Sequence, residues 1–285
     1  MNTIFLTPKY YVFSFHFKIK LFYIRKIRSL TIRNIKTYIL RQGDCIELMS
    51  KLPNKSIDMI LCDLPYGTTK NKWDCVIDLK QLWSQYERLI KDNGCICLFA
   101  QTPFDKVLGN SNLKLLKYEW IWQKESGTGF LNANKMPLKI HENILVFYKK
   151  LPIYNPQMRE GFKPYKCKQG SHSSNYGDYE QGYVTESDGK RFPIDIIEFK
   201  RDKEKLHPTQ KPVSILEYLI KTYTNENMFV LDNCMGSGST GVACLNTNRK
   251  FIGFELDKEY FEIAKKRIED RSKELEEKIK VGNEK

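Results

Sequence analysis

From Thr37 onward, short apolar runs rich in Val, Ile, Phe and Tyr alternate with stretches of helical period. The runs predict seven strands, at residues 37–41, 57–62, 95–100, 117–123, 143–149, 228–232 and 250–254. Between the second and third, residues 79–91 place Leu79, Leu82, Trp83, Tyr86, Leu89 and Ile90 on one helical face, and Gly94 follows where a helix would stop. Residues 212–223 and 258–279 read as further helices, the second dissolving into a charged tail over 276–285. Strands alternating with helices predict an α/β fold, a mostly parallel sheet covered on both faces.

Residues 150–206 break this alternation. Prolines and glycines recur there without a sustained period, and Arg159, Lys163, Lys166 and Lys168 interleave with Tyr154, Phe162, Tyr165, Tyr176, Tyr179 and Tyr183. Basic groups meet phosphates and aromatic rings meet bases, so the segment suits a nucleic-acid contact surface; an ordinary irregular loop is the alternative. The formal net charge of +13 favours a polyanionic partner. Much of that charge lies in residues 1–36, which hold eight basic residues and no acid. Lys9, His16, Lys18 and Lys20 interrupt every apolar block that could serve as a signal peptide. Residues 1–36 are therefore expected to be a basic extension outside the core, with an arm that touches phosphates as the alternative.

With 41% hydrophobic residues the chain can bury a full core. Eight cysteines show neither paired metal-site spacing nor the density of a disulfide scaffold, so no metal site is expected and a reducing cytoplasm is the simplest reading. No stretch reaches the ~18 uncharged apolar residues of a membrane span, which predicts a soluble, cytoplasmic chain with no membrane partner.

Residues 228–241 form an apolar run, a glycine turn and the start of a helix. Gly236, Gly238 and Gly241 satisfy GxGxxG, and Glu255 lies at the end of the next strand. No Lys precedes the Ser or Thr, so a Walker loop fails. In a dinucleotide fingerprint the first Gly directly follows the strand, whereas here Asp232, Asn233, Cys234 and Met235 intervene. A carboxylate at that strand end suits a cationic ligand without phosphate, and S-adenosylmethionine is one. Residues 242–285 leave room for one further strand and helix, so the other strands must come from upstream and the sheet is circularly permuted relative to a fold that begins at its glycine turn.

Residues 58–66 form an apolar strand ending in Asp63-Leu64-Pro65-Tyr66. A lone motif of this kind is a strand leading into a proline turn. Here Gly43-Asp44-Cys45 lies upstream, and His207-Pro208-Thr209-Gln210-Lys211-Pro212 and the Asp232–Gly241 turn follow. In this order the four features resemble the permuted beta group of DNA amino-methyltransferases, over about residues 37–270. The Gly67–Asp74 continuation and the Glu142–Lys149 strand resemble the adenine-specific enzymes of bacteria and phages. The chain departs from the family at Leu64, where Pro is usual; that position contributes mainly its carbonyl, so activity is expected to survive with a less rigid turn.

The resemblance implies a Rossmann-like S-adenosylmethionine-dependent methyltransferase sheet and site-specific methylation of adenine N6 in double-stranded DNA, with the base flipped out. It implies that Tyr66 stacks on that base and that the Asp63 carboxylate and Leu64 carbonyl accept hydrogen bonds from its amine, with Pro65 shaping the turn. Asp232, Gly236 and Gly238 would lie at the methionine part of the cofactor, Glu255 at the ribose, Asp44 near the adenine, and Thr209 and Lys211 over the methionine end. His207 is read as shaping its loop rather than contacting ligand, His141-Glu142 as packing or loop support, Cys95 and Cys97 as core, and Cys234 as a neighbour of the cofactor. Expected domains are a catalytic domain of residues 37–149 and 207–275 and a target-recognition insertion over 150–206, where Arg159, Lys163, Lys166 and Lys168 would contact DNA. An N4-cytosine enzyme, a non-catalytic DNA-binding relative and an NAD-dependent dehydrogenase stay open as alternatives. A homodimer and a cognate restriction endonuclease are compatible with the resemblance.

Overall fold

The computed structural model describes residues 37–67, 76–168, 184–203 and 206–283. The expectations for residues 1–36, for 68–74, for Tyr176, Tyr179 and Tyr183 and for the Lys168 side chain lie outside the described part.

The first half of the chain supplies β1 (Tyr38–Gln42), α1 (Cys45–Ser50), β2 (Ile57–Asp63), α2 (Leu79–Leu89), β3 (Ile90–Ala100), α3 (Phe104–Ser111), β4 (Leu116–Thr128) and β5 (Lys139–Phe147). The second half supplies β6 (Tyr165–Lys168), β7 (Val184–Ser187), β8 (Ile196–Glu198), α4 (Val213–Tyr223), β9 (Phe229–Asp232), α5 (Ser239–Asn246), β10 (Lys250–Glu255) and α6 (Lys258–Asn283). The main sheet has the order β1-β10-β9-β2-β3-β5-β4-β8, and β6 and β7 form a separate antiparallel ribbon. β5 runs antiparallel to both its neighbours; the other pairings in the main sheet are parallel.

This is the expected Rossmann-like α/β sheet, with eight strands in place of seven. The eighth, β8, is three residues long, too short to carry a period, and exists because Ile121–Gln123 of β4 offers it a ladder. The permutation is visible in the order: β9 and β10, late in sequence, lie between β1 and β2.

The central strands read as continuous apolar runs because both faces are covered. On one face Met59, Leu61, Cys95, Cys97 and Phe99 pack with Ile215, Leu219 and Tyr223 of α4, Ala243 of α5 and Ala264 and Ile268 of α6. On the other, Ile60, Cys62, Ile96 and Leu98 pack with Met49 of α1, Leu82, Tyr86 and Leu89 of α2 and Leu108 of α3. Cys95 and Cys97 are thus core on one side, as their spacing of two implies.

Local chemistry sets the helix ends. The Asp44 carboxylate accepts from the Glu47 N–H at 2.9 Å and starts α1, and Asp78 accepts from the Lys80 N–H at 2.8 Å and starts α2. Gly94 does not stop α2, which passes straight into β3 at Ile90. Instead Gly94 sits inside β3 at the irregular register between β2 and β3, where an added Cβ would meet the Asp58 carbonyl at 2.8 Å and Ile90 Cδ1 at 2.7 Å. The C-terminal helix also outlasts its expected end and continues to Asn283, because Glu and Lys are good helix formers. Among the described residues no helix is long and apolar enough to cross a membrane.

Gly94→Ala is expected to lower stability by roughly 1–3 kcal/mol, since a backbone oxygen as well as the Ile90 side chain blocks the new methyl. Urea unfolding measures the loss, and an unchanged midpoint would show that β3 accommodates a Cβ there.

Candidate active site

The parallel strands β2, β9 and β10 end on one edge of the sheet, and their last residues are Asp63, Asp232 and Glu255. Those three acids line one cavity of about 720 Å³. The same cavity is lined by Asp44, Leu64, Pro65, Tyr66, Thr209, Lys211 and Gly236, so the structure brings together residues that are far apart in sequence. Gly238 does not line it. Its φ of 79° starts α5, and an added Cβ would press on Ala264 Cβ of α6 at 3.0 Å, so its bare backbone serves helix packing.

The Glu255 carboxylate accepts from the Gly236 N–H at 2.8 Å and from the Asp257 N–H at 2.9 Å. Asp232 is almost fully buried and accepts from the Cys234 N–H at 3.1 Å and the Thr240 hydroxyl at 2.6 Å. Burial raises the carboxyl groups of both, that of Asp232 to about 6. These bonds bear on the ligand. A pyrophosphate would need the turn amides, yet the Gly236 N–H is taken by a carboxylate and the Gly238 N–H by the Met235 carbonyl at 2.8 Å. The turn therefore presents negative charge, which suits a cationic, phosphate-free ligand.

A second cluster surrounds Asp63. Its Oδ1 accepts from the Tyr66 hydroxyl at 2.5 Å and its Oδ2 from the Lys211 ammonium. Lys211 also faces Glu142 Oε2 at 3.4 Å, and the other oxygen of Glu142 accepts from Lys124. Lys124, Glu142 and Lys211 are all buried. Burial raises the Asp63 carboxyl despite the lysine beside it, whereas the two lysines outweigh burial at Glu142 and hold it below its usual range. The two carboxylates in turn keep Lys211 protonated above its usual range although burial opposes this. The Tyr66 ring stacks on Phe104 at 5.3 Å, and the Leu64 side chain is buried in the core.

Lys211 and Glu142 thus join the Asp63 cluster while lining the same cavity as the glycine turn. The Lys211 ammonium reaches the Asp63 carboxylate, and Glu142 belongs to the cavity wall. Lys124 was not singled out by the sequence at all. One signal was present: Trp120, Trp122 and Lys124 alternate along β4, and Glu142, Ile144 and Val146 along β5, so the charged residue of each series shares the face of its apolar neighbours.

Residues 201–202 and 207–211 line the cavity, and Asp202 and Arg267, which carry no motif, help to hold them. Asp202 accepts from the Gln210 amide at 3.2 Å, the Ser237 hydroxyl donates to Gln210 at 3.1 Å, and Arg267 of α6 donates to Ser239 Oγ at 2.9 Å. His207 Nδ1 accepts from the Thr209 N–H at 3.2 Å, and its ring meets Tyr260 edge-on at 4.2 Å. Burial, with the charge of Lys211, pushes His207 down to about 4, so it is neutral at pH 7 where it lines the cavity. Cys234 lines the cavity, and its hydrogen bonds to Cys45 and Cys62, with burial, drive its thiol up, away from nucleophilic thiolate chemistry. Asp44 lines the same wall while capping α1.

In the 150–206 region, Arg159 and Arg191 pair through a β-bridge and place their guanidinium groups 5.2 Å and 5.3 Å from the Phe162 ring. Arg191 also donates to the Lys163 carbonyl at 2.8 Å, and Lys166 pairs with Glu186 on the ribbon. Arg191 is a basic residue that composition did not pick out.

Residues 57–266 match a family model described as DNA methylase. The chain is 29% identical over 244 residues to the DNA adenine methyltransferase YhdJ of Escherichia coli K12, covering 80% of this chain and 81% of that one. It is 27% identical over 247 residues to the Type II methyltransferase M.HpaI of Haemophilus parainfluenzae, covering 80% and 73%. Among solved structures, the M1.HpyAVI–SAM complex superposes with a TM-score of 0.57 at 26% identity, over 81% of this chain and 99% of that one. The cytosine-N4-specific PvuII DNA methyltransferase shares the fold, with a TM-score of 0.60 at 15% identity over 83% and 93%. With the family match spanning most of the described sheet and both acid clusters, the chain belongs to the DNA methylases and uses S-adenosylmethionine as its cofactor.

Proposed function

We propose that this DNA methylase transfers a methyl group to the exocyclic N6 of an adenine extruded from duplex DNA at a specific sequence. One observation carries the reading: Asp63 and Tyr66 face the same cavity as Asp232 and Glu255, so an amine held at the first pair meets a donor held at the second. The printed name of the E. coli relative, a DNA adenine methyltransferase, supports adenine over cytosine.

The cavity suits the cofactor. Its carboxylates at Asp232 and Glu255 face cationic and hydroxyl groups, and Gly236, with a φ of 51°, leaves a cradle whose nearest neighbour would be the His207 ring at 3.9 Å. Asp44, Thr209 and the Gly236 backbone complete the proposed set of contacts, with Gly238 shaping the turn from behind. When bound, S-adenosylmethionine supplies an electrophilic methyl group on a sulfonium centre.

The chain's own residues do the rest. The Asp63 carboxylate and the Leu64 carbonyl accept hydrogen bonds from the target amine and draw its nitrogen toward tetrahedral geometry, which frees the lone pair for attack. Tyr66 offers the surface on which the base stacks, and Pro65 fixes the turn between the two. Lys211 keeps Asp63 aligned and charged, while Glu142 and Lys124 balance Lys211. Positioning and fixed charges carry the catalysis. The methylated nitrogen becomes acidic and releases its proton without a strong base. Arg159, Lys163, Lys166 and Arg191 are the proposed phosphate contacts among the described residues of the 150–206 region, and Lys168, whose side chain lies outside the described part, is proposed with them from the sequence. The Type II relatives support pairing with a cognate restriction endonuclease, which neighbouring genes would reveal.

Methylation-sensitive sequencing of DNA from a host expressing the chain, with nucleoside mass spectrometry, is expected to yield N6-methyladenine at one site. N4-methylcytosine alone would replace this reading with the cytosine one. Asp63→Ala and Tyr66→Ala are each expected to lower kcat at least about a hundredfold, in the range of lost transition-state positioning. Lys211→Met is expected to lower kcat by about tenfold or more while S-adenosylmethionine Kd, read by calorimetry, stays within about twofold; a loss confined to Kd would return Lys211 to the cofactor. Asp232 carries its charge only above about 6, so affinity for the cationic cofactor falls as pH drops through that value. Asp232→Asn is expected to bind about tenfold more weakly at neutral pH and to lose this pH dependence.

A further inference from the structure

β4 runs in the same direction as β2 and β3, since both β3 and β4 pair antiparallel with β5. It therefore ends on the sheet edge that carries Asp63, and Trp122, Lys124 and Thr128 along it line the cavity. The chain beyond Thr128 begins at the cavity rim. There Gly129, with a φ of 89°, opens a helical turn over Phe130–Asn132. The turn is held by its own backbone: the Asn132 N–H donates to the Gly129 carbonyl at 2.9 Å and the Lys135 N–H to the Asn132 carbonyl at 2.8 Å.

What this ordered tip presents is apolar. Phe130 is 77% exposed and Leu131 84% exposed, and Met136, Leu138 and Ile140 follow them in solvent. Exposed apolar side chains in a cluster mark a contact surface. Lys135 and Lys139 flank them, which suits a polyanion rather than an apolar protein face. Extruding a base opens a gap in the stack, and proteins that unstack DNA fill such gaps with Phe, Leu, Ile or Met wedges.

We propose that the β4–β5 hairpin tip is a wedge, with Phe130 and Leu131 entering the duplex where the target base leaves it. The assignment rests on the methyltransferase reading above. It names the residues that stabilise the opened duplex, separate from the Asp63 cluster that handles the extruded amine. The flanking lysines meet the phosphates on either side of the gap.

The test compares two duplexes carrying the site found by sequencing: one with the target base paired, one with it opposite an abasic position. Phe130→Ala/Leu131→Ala is expected to slow methylation of the paired duplex at least about tenfold and to methylate the unpaired target within about threefold of wild type, since the cost of opening is then already met. Phe130→Leu, which keeps an apolar wedge, is expected to stay within about threefold of wild type on both. Equal rates for the double variant and wild type on the paired duplex would overturn the wedge. So would an equal loss on both duplexes, or a loss that follows conversion of a dimer to a monomer in sedimentation, which would make the tip an interface between copies. A wild-type chain that methylates neither duplex would instead overturn the methyltransferase reading, and the wedge with it.

Discussion

Two carboxylates and two ammonium groups share the wall of one cavity, and the placement of the Asp63 carboxylate depends on their balance. Asp63, Glu142, Lys124 and Lys211 come from β2, β5, β4 and the segment before α4. Each would cost several kcal/mol to bury alone, so removing one leaves an uncompensated charge for the others. The pairing therefore fixes four chain segments in register as well as fixing a charge pattern. It also explains why Asp63 faces solvent so little at the end of a strand whose other residues are all buried.

The opposite wall is organised by backbone donors rather than by lysines. Glu255 binds the amide of the glycine turn, Asp232 binds the amide and hydroxyl that follow it, and Arg267 and Asp202 tie the covering segment to that turn. With the Gly236 and Gly238 amides so occupied, those two donors are not free for a pyrophosphate, and the negative charge of the turn suits a sulfonium and an ammonium group. The same GxGxxG spacing thus serves a different ligand because of what fills its hydrogen bonds.

The two walls are complementary in function because they are adjacent in the sheet. β2 lies next to β9, so the end that presents Asp63 stands beside the end that presents Asp232. Permutation of the chain leaves this neighbourhood intact, since pairing depends on strand order in space rather than in sequence. Outside the core, the two-stranded ribbon and the β4–β5 tip project basic and apolar groups that the central sheet has no use for.

The sequence by itself determined the alternation of strands and helices, the Asp63–Tyr66 motif at a strand end and the glycine turn before Glu255, because local period and backbone chemistry are written in neighbouring residues. It also placed the Asp63–Tyr66 motif ahead of the glycine turn, the order that the permuted sheet shows. It left β8 unseen, because three residues carry no period and the strand forms on an edge that β4 provides. It misread Gly94, whose need for a bare backbone comes from the Asp58 carbonyl on the next strand. Tertiary structure alone decided the partners of Asp63. Lys211 lies 148 residues from it and Glu142 sits on another strand, and a buried charge chooses its counter-ion by distance through space, which no local pattern records.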